Sequence, residues 1–253
     1  MMSKLWRSKL KAFAAHILFS AALIGIFMYV VMGHWFPGYL FEFENVWEGL
    51  RILVPVDAIL GPILTLIIFV PGKKGLKGDI AIILILQIAA LLYGGKAIYD
   101  SKPEVLAFVG DRFEVITSKS YQRDRVPEAT LVAYDKGYPA LIYPLPGQTP
   151  EEVNEFVLNN VQYQIMAERY RPLAEYMDVV LSRALDIDRL QPSDPQQIKV
   201  LADFKQRFND ETDALFILQG TTKEFIVVSI DKDALIVKDY LPLDPWDIYV
   251  LPE

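Results

Sequence analysis

The chain has no cysteine and only two histidines, His16 and His34. The first absence excludes disulfides, thiolate nucleophiles and cysteine metal sites. The second excludes a Ser-His-Asp triad or a histidine-metal cluster confined to the sequence after residue 34. Carboxylate-only chemistry survives that inventory. Positive charge is scarce as well, since residues 100–253 carry sixteen Lys/Arg against twenty-seven Asp/Glu, a net −11. That stretch lacks the basic footprint that nucleic-acid phosphates require, so no nucleic-acid partner is expected. Low-complexity tracts and internal repeats are also missing.

Apolar residues are abundant, at 53% of 253. Lys4, Arg7, Lys9 and Lys11 precede an apolar run from Ala12 to Phe36 that only His16 and Ser20 interrupt before Gly33-His34. It outlasts a signal-peptide core and ends in interfacial Trp35-Phe36 instead of a small-residue cleavage site, which predicts a retained transmembrane helix. Two more spans are predicted, over 50–70 and 80–99. The three spans, at 12–36, 50–70 and 80–99, make residues 1–100 a membrane anchor, and residues 101–253 form a soluble domain. The N-terminal tail and the loop with Lys73, Lys74 and Lys77 are basic, whereas the loop at 37–49 has three glutamates and no cation. Cytoplasmic loops collect Lys and Arg, so the N-terminus is expected inside and the C-terminal domain outside, in the periplasm of a Gram-negative cell.

Beyond Pro103 the pattern shortens. Strands are predicted at 105–109, 113–117, 130–134, 140–143, 214–218, 224–230 and 234–238, with Gly110-Asp111-Arg112 as a hairpin turn. Thr149-Pro150-Glu151-Glu152 has a threonine cap, a proline at the first helical position and a glutamate three residues after the cap, so a helix should run from there to about Arg169. Further helices are expected at 172–185 and 196–208. The fold class is therefore three transmembrane helices followed by an α+β domain with a mainly antiparallel sheet and about three helices. The tail from Pro242, rich in Pro, Trp and Tyr, should be docked.

Candidate functional residues lie in the second and third spans. Asp57, Gly61 and Thr65 recur every four residues and share one helix face. Pro62 lacks an N–H and frees the carbonyl of Ala58, which in hydrocarbon needs another donor. Gln87 sits at matching depth across a hairpin, so its amide is expected to donate to that carbonyl or to Asp57, with Tyr93 a second candidate donor. Three readings of Asp57 stay open: a structural, hydrogen-bonded acid, a contact with a partner helix, and a proton or ion relay. His16 reads as a border residue. Asp111-Arg112-Phe113-Glu114 reads as a turn with an ion pair, and Glu151/Glu152 and Asp186/Asp188 read as caps and solvated helix ends rather than paired catalytic acids. No cofactor or metal site is predicted.

The blocks Asp57-x-x-x-Gly61-Pro62-x-x-Thr65, Lys74-x-Leu76-Lys77-x-Asp79, Gln87, Ala90-Leu91, Tyr93-Gly94, Pro103 and Asp111-Arg112-Phe113-Glu114-Val115, in this order over residues 50–117, resemble the type IV pilin accessory proteins of the TfpX/TfpZ group. Gly75 and Gly78 depart from the bulkier residues expected in that loop. The resemblance implies a bacterial inner-membrane protein, without cofactor or catalytic residues, that assists a cognate pilin in pilus biogenesis as a chaperone-like factor. Its expected partners are the pilin and the bilayer, and nothing in the sequence specifies an oligomeric state. Two other classes stay open: a membrane-anchored hydrolase using the carboxylates of the C-terminal domain, and a membrane-anchored sensory or binding domain.

Overall fold

A computed structural model describes residues 4–122, 137–222 and 224–251. The chain forms two compact units, Met1–Lys102 and Pro103–Glu253. The strand expected at 130–134 lies outside the described residues.

Three helices of the first unit are long and apolar enough to cross a membrane: α1 (Lys4–Trp35), α2 (Val46–Ile68) and α3 (Leu76–Asp100). Lys9 at the start of α1 donates to the carbonyl of Ile67 in the last turn of α2 (3.2 Å), satisfying one of the acceptors a helix end leaves open. Val31, Phe36, Leu40, Val46, Leu50, Leu53 and Ile98 form an apolar cluster where α1 turns into the next helix. Glycines bring α3 close to its neighbours. A Cβ at Gly94 would collide with Leu53 of α2, and one at Gly95 would press on Phe27 of α1.

The second unit is a seven-stranded sheet in the order β4-β3-β1-β2-β5-β6-β7, built from β1 (Pro103–Val109), β2 (Arg112–Thr117), β3 (Ala140–Pro144), β4 (Tyr170–Pro172), β5 (Asp213–Gln219), β6 (Phe225–Asp231) and β7 (Val237–Leu241). Pairing is mostly antiparallel, and β1–β3 and β2–β5 are parallel. The middle strands are buried on both faces, which explains their unbroken apolar runs. Phe108, Phe113 and Phe216 meet edge to face within the sheet. Leu190, Leu201, Phe204, Leu215, Val227 and Leu241 form a core between the sheet and the helix α5 (Pro195–Lys205). The tail docks on that core through Leu243 and Ile248.

Three boundaries differ from expectation, each for a local reason. The helix starting at Pro150, α4, is capped as predicted, with Glu152 N–H donating to Thr149 Oγ1, but it ends at Leu158 instead of Arg169. Asn160 takes the left-handed conformation (φ 50°), and the Val161 N–H returns to the carbonyl of Phe156, a Schellman stop with asparagine where glycine is usual. The helix expected at 172–185 is reduced to 3-10 turns and Met177–Leu181, because Tyr170–Pro172 pairs with β3 and pins its start. The last strand begins at Val237, later than 234, because the turn after β6 is longer: Asp231 Oδ1 accepts from the N–H groups of Asp233 and Ala234, and Leu235 is left-handed (φ 54°).

Candidate functional site

The buried polar residues of the membrane unit, His16, Ser20, Asp57, Thr65 and Gln87, converge on one point. In α2 the segment Val56–Leu60 is a π-helical turn, followed by regular helix at Gly61–Ile68. In π register a residue's N–H reaches back five positions instead of four. Pro62, which has no N–H, therefore withdraws the donor of the Asp57 carbonyl rather than that of Ala58. Gln87 supplies the replacement: its Nε2 donates to the Asp57 carbonyl at 3.1 Å and to Ser20 Oγ at 3.4 Å.

That orientation fixes the rest of the node. Gln87 Oε1 must accept, so His16 Nε2, 2.6 Å away, carries the proton. The other ring nitrogen, Nδ1, lies 2.5 Å from Thr65 Oγ1. All three spans are thus tied through one imidazole and one amide. Gly61 makes the crossing possible, since a Cβ there would fall inside the Gln87 side chain. His16, Ser20, Asp57, Thr65 and Gln87 are all buried.

Asp57 is 1% exposed, and neither of its carboxylate oxygens meets a hydrogen-bond donor among the described residues. The sequence pointed at the residue correctly, but its backbone carbonyl is the part engaged. The structure brings Asp57, Gly61, Pro62, Thr65 and Gln87 together and leaves out Tyr93, which is 85% exposed on α3. Six residues along a helix rotate the side chain by about 120° from the face of Gln87, too far to share its partners. His16 and Ser20 were not predicted for this node. Their signal was present, because they are the only polar side chains in the first half of the run from Ala12 and lie four apart, on one face.

In the C-terminal unit the paired acids serve as caps and clamps. Asp186 accepts from the N–H of Asp188, and Glu152 accepts from the N–H of Gln148 while pairing with Arg169. Arg112 pairs with Asp111 (2.7 Å) and lies over the rings of Phe225 and Trp246, tying the β1–β2 turn to β6 and the tail. Glu114 is held above the usual carboxylate range, first by burial and less by Asp111, against the opposing pull of Gln164 and Arg112. Burial also pushes Asp213 up, but Lys238, Thr212 and the Asn209 N–H outweigh it and keep the carboxyl below its ordinary range. Among the described residues no three metal-ligating side chains cluster.

With this geometry in place, three relatives bear on function. The chain is similar to fimbrial assembly proteins. It is 27% identical over 120 residues to the serogroup I fimbrial assembly protein of Dichelobacter nodosus, a match covering 45% of each chain. It is 25% identical over 120 residues to the protein of serogroups C1 and C2 of the same organism, covering 45% of this chain and 88% of that one. It is 26% identical over 123 residues to the serogroup E1 protein, covering 46% of this chain and 45% of the relative. The chain thus spans less than half the length of two of these relatives. No family model and no solved structure matches it.

Proposed function

We propose that the protein is a non-enzymatic accessory factor of fimbrial assembly in the TfpX/TfpZ group, which binds a cognate type IV pilin before its incorporation. The observation that carries this reading is the similarity to three fimbrial assembly proteins, in a chain that joins three membrane-length helices to a soluble domain. The positions of Lys and Arg favour a bacterial inner-membrane location with a cytoplasmic N-terminus and a periplasmic C-terminal domain. A pilin awaiting assembly offers an apolar helix within the bilayer and a folded head outside it, and the two units face those two environments.

Within this reading the node of His16, Ser20, Asp57, Gly61, Pro62, Thr65 and Gln87 is a packing device. A side chain 1% exposed inside the bundle offers little to a passing helix, so Asp57 positions α2 against α3 and partner contact falls to other surfaces. Deleting the gene in its native host tests the function. The expected outcome is loss of surface fimbriae with pilin synthesis retained, restored by the gene in trans; fimbriae at wild-type density in the deletion strain would refute it.

A further inference from the structure

The helix α4 (Pro150–Leu158) buries no residue, which is unusual for a helix on a folded domain. Val157 is 74% exposed and Leu158 83%. Val153 and Val157, one turn apart, border an open cleft of about 420 Å³ with Pro146, Phe156, Val161 and Tyr163. A nine-residue helix is not stable in water by itself. What holds α4 is a lock at each end: the Thr149 cap, the Glu152–Arg169 pair with Arg169 stacked on Phe156, and the Schellman stop at Asn160. The helix is fixed while its apolar flank has no cover among the described residues, which is the character of a docking face.

Charge selects the occupant. Glu151 and Glu155 lie on the exposed side next to Leu158, and neither forms an ion pair among the described residues. A second copy docking through the same face would bring four carboxylates into one small interface. An anionic bilayer surface would repel them. An apolar patch bordered by Lys or Arg complements both features.

We propose that this face of α4 docks the extramembrane head of the pilin through an apolar patch with a basic border, an inference that rests on the pilin-binding reading above. The test places a photoreactive p-benzoylphenylalanine at Leu158 of the full-length protein in its host, with the same residue at Ile198, exposed on α5, as a control position. Position 158 should crosslink to pilin and position 198 should not. The double substitution Glu151→Lys/Glu155→Lys should lower the crosslink at 158 at least fivefold. Crosslinking of 158 to a second copy or to lipid, no product at all, or a crosslink indifferent to the charge reversal would overturn the proposal while wild-type co-purification of pilin leaves the wider reading intact. Failure of the wild-type protein to co-purify pilin would overturn that reading, and the docking face with it.

Discussion

The two units invert each other's solvent logic. In the membrane unit one set of polar side chains is gathered inside, where His16, Ser20, Thr65 and Gln87 close on one another while many large apolar side chains face outward. In the C-terminal unit the core is apolar on both faces of the sheet, and unexplained exposure is confined to apolar side chains such as Val157 and Leu158. Where hydrocarbon is the surrounding, burying apolar area gives no drive, and polar contacts and close packing at glycines must specify the bundle. Where water is the surrounding, burial does that work, and an apolar side chain left outside calls for a partner.

The strongest way to break this contrast is at Gly61. Gly61→Val would drive a side chain into the space of Gln87 and dismantle the node, at a cost of about 3 kcal/mol. Thermal unfolding in detergent micelles should show a marked loss of stability; an unchanged midpoint would mean the three spans do not depend on the crossing. In the second unit the counterpart is Asp213, buried with Lys238 at 2.9 Å. Asp213→Ala should cost roughly 2 kcal/mol at neutral pH, read as faster hydrogen exchange in β5 and β6. Because the folded state holds this carboxyl low, its contribution is present above the unfolded pKa and is lost as pH falls through the folded one. The gap between mutant and wild type should therefore close only in strong acid.

Much of this contrast was legible in the sequence, and the losses have physical causes. The three spans are long apolar runs, and the carbonyl that Pro62 leaves without a donor identified Gln87. Of the two recipients expected, the Ala58 carbonyl and Asp57, the amide takes Asp57 at its carbonyl, because the π turn at Val56–Leu60 shifts the hydrogen-bond register and no composition signal marks it. His16 looked like a border residue because depth was counted along α1 alone, whereas its partners Thr65 and Gln87 lie 49 and 71 residues away. In the C-terminal unit the cap at Thr149 was readable and the stop at Asn160 was not, since glycine is the usual left-handed stop and an asparagine does not by itself mark a helix end. Tyr170–Pro172 pairs with a strand far from it in sequence, which overrides its local helical pattern.

Two smaller effects sharpen the comparison. Glu114→Gln should stabilise the C-terminal unit at neutral pH by less than about 1 kcal/mol, since burial raises this carboxyl and its ionised form carries a cost. A raised acid contributes stability below its unfolded pKa and loses it as pH rises through the folded value, so the advantage of glutamine should vanish in acid. Hydrogen exchange of β2 at pH 7 and pH 4 checks the sign. Asp57→Leu should leave unfolding in micelles unchanged or slightly raised, because the node uses the carbonyl of this residue and its carboxylate accepts no hydrogen bond among the described residues. A loss as large as that of Gly61→Val would show that the carboxylate itself holds the bundle.

The division of labour is tested most directly by measuring, in the native host, both the amount of this protein and the pilin recovered per molecule of it, for Gln87→Leu and for Val157→Glu/Leu158→Glu. The account predicts that Gln87→Leu lowers the amount of protein while the surviving molecules recover pilin normally. It predicts that Val157→Glu/Leu158→Glu leaves the amount unchanged and lowers pilin recovery about tenfold. Normal pilin recovery by the α4 double mutant, together with a per-molecule loss in Gln87→Leu, would contradict it and return the partner site to the membrane node.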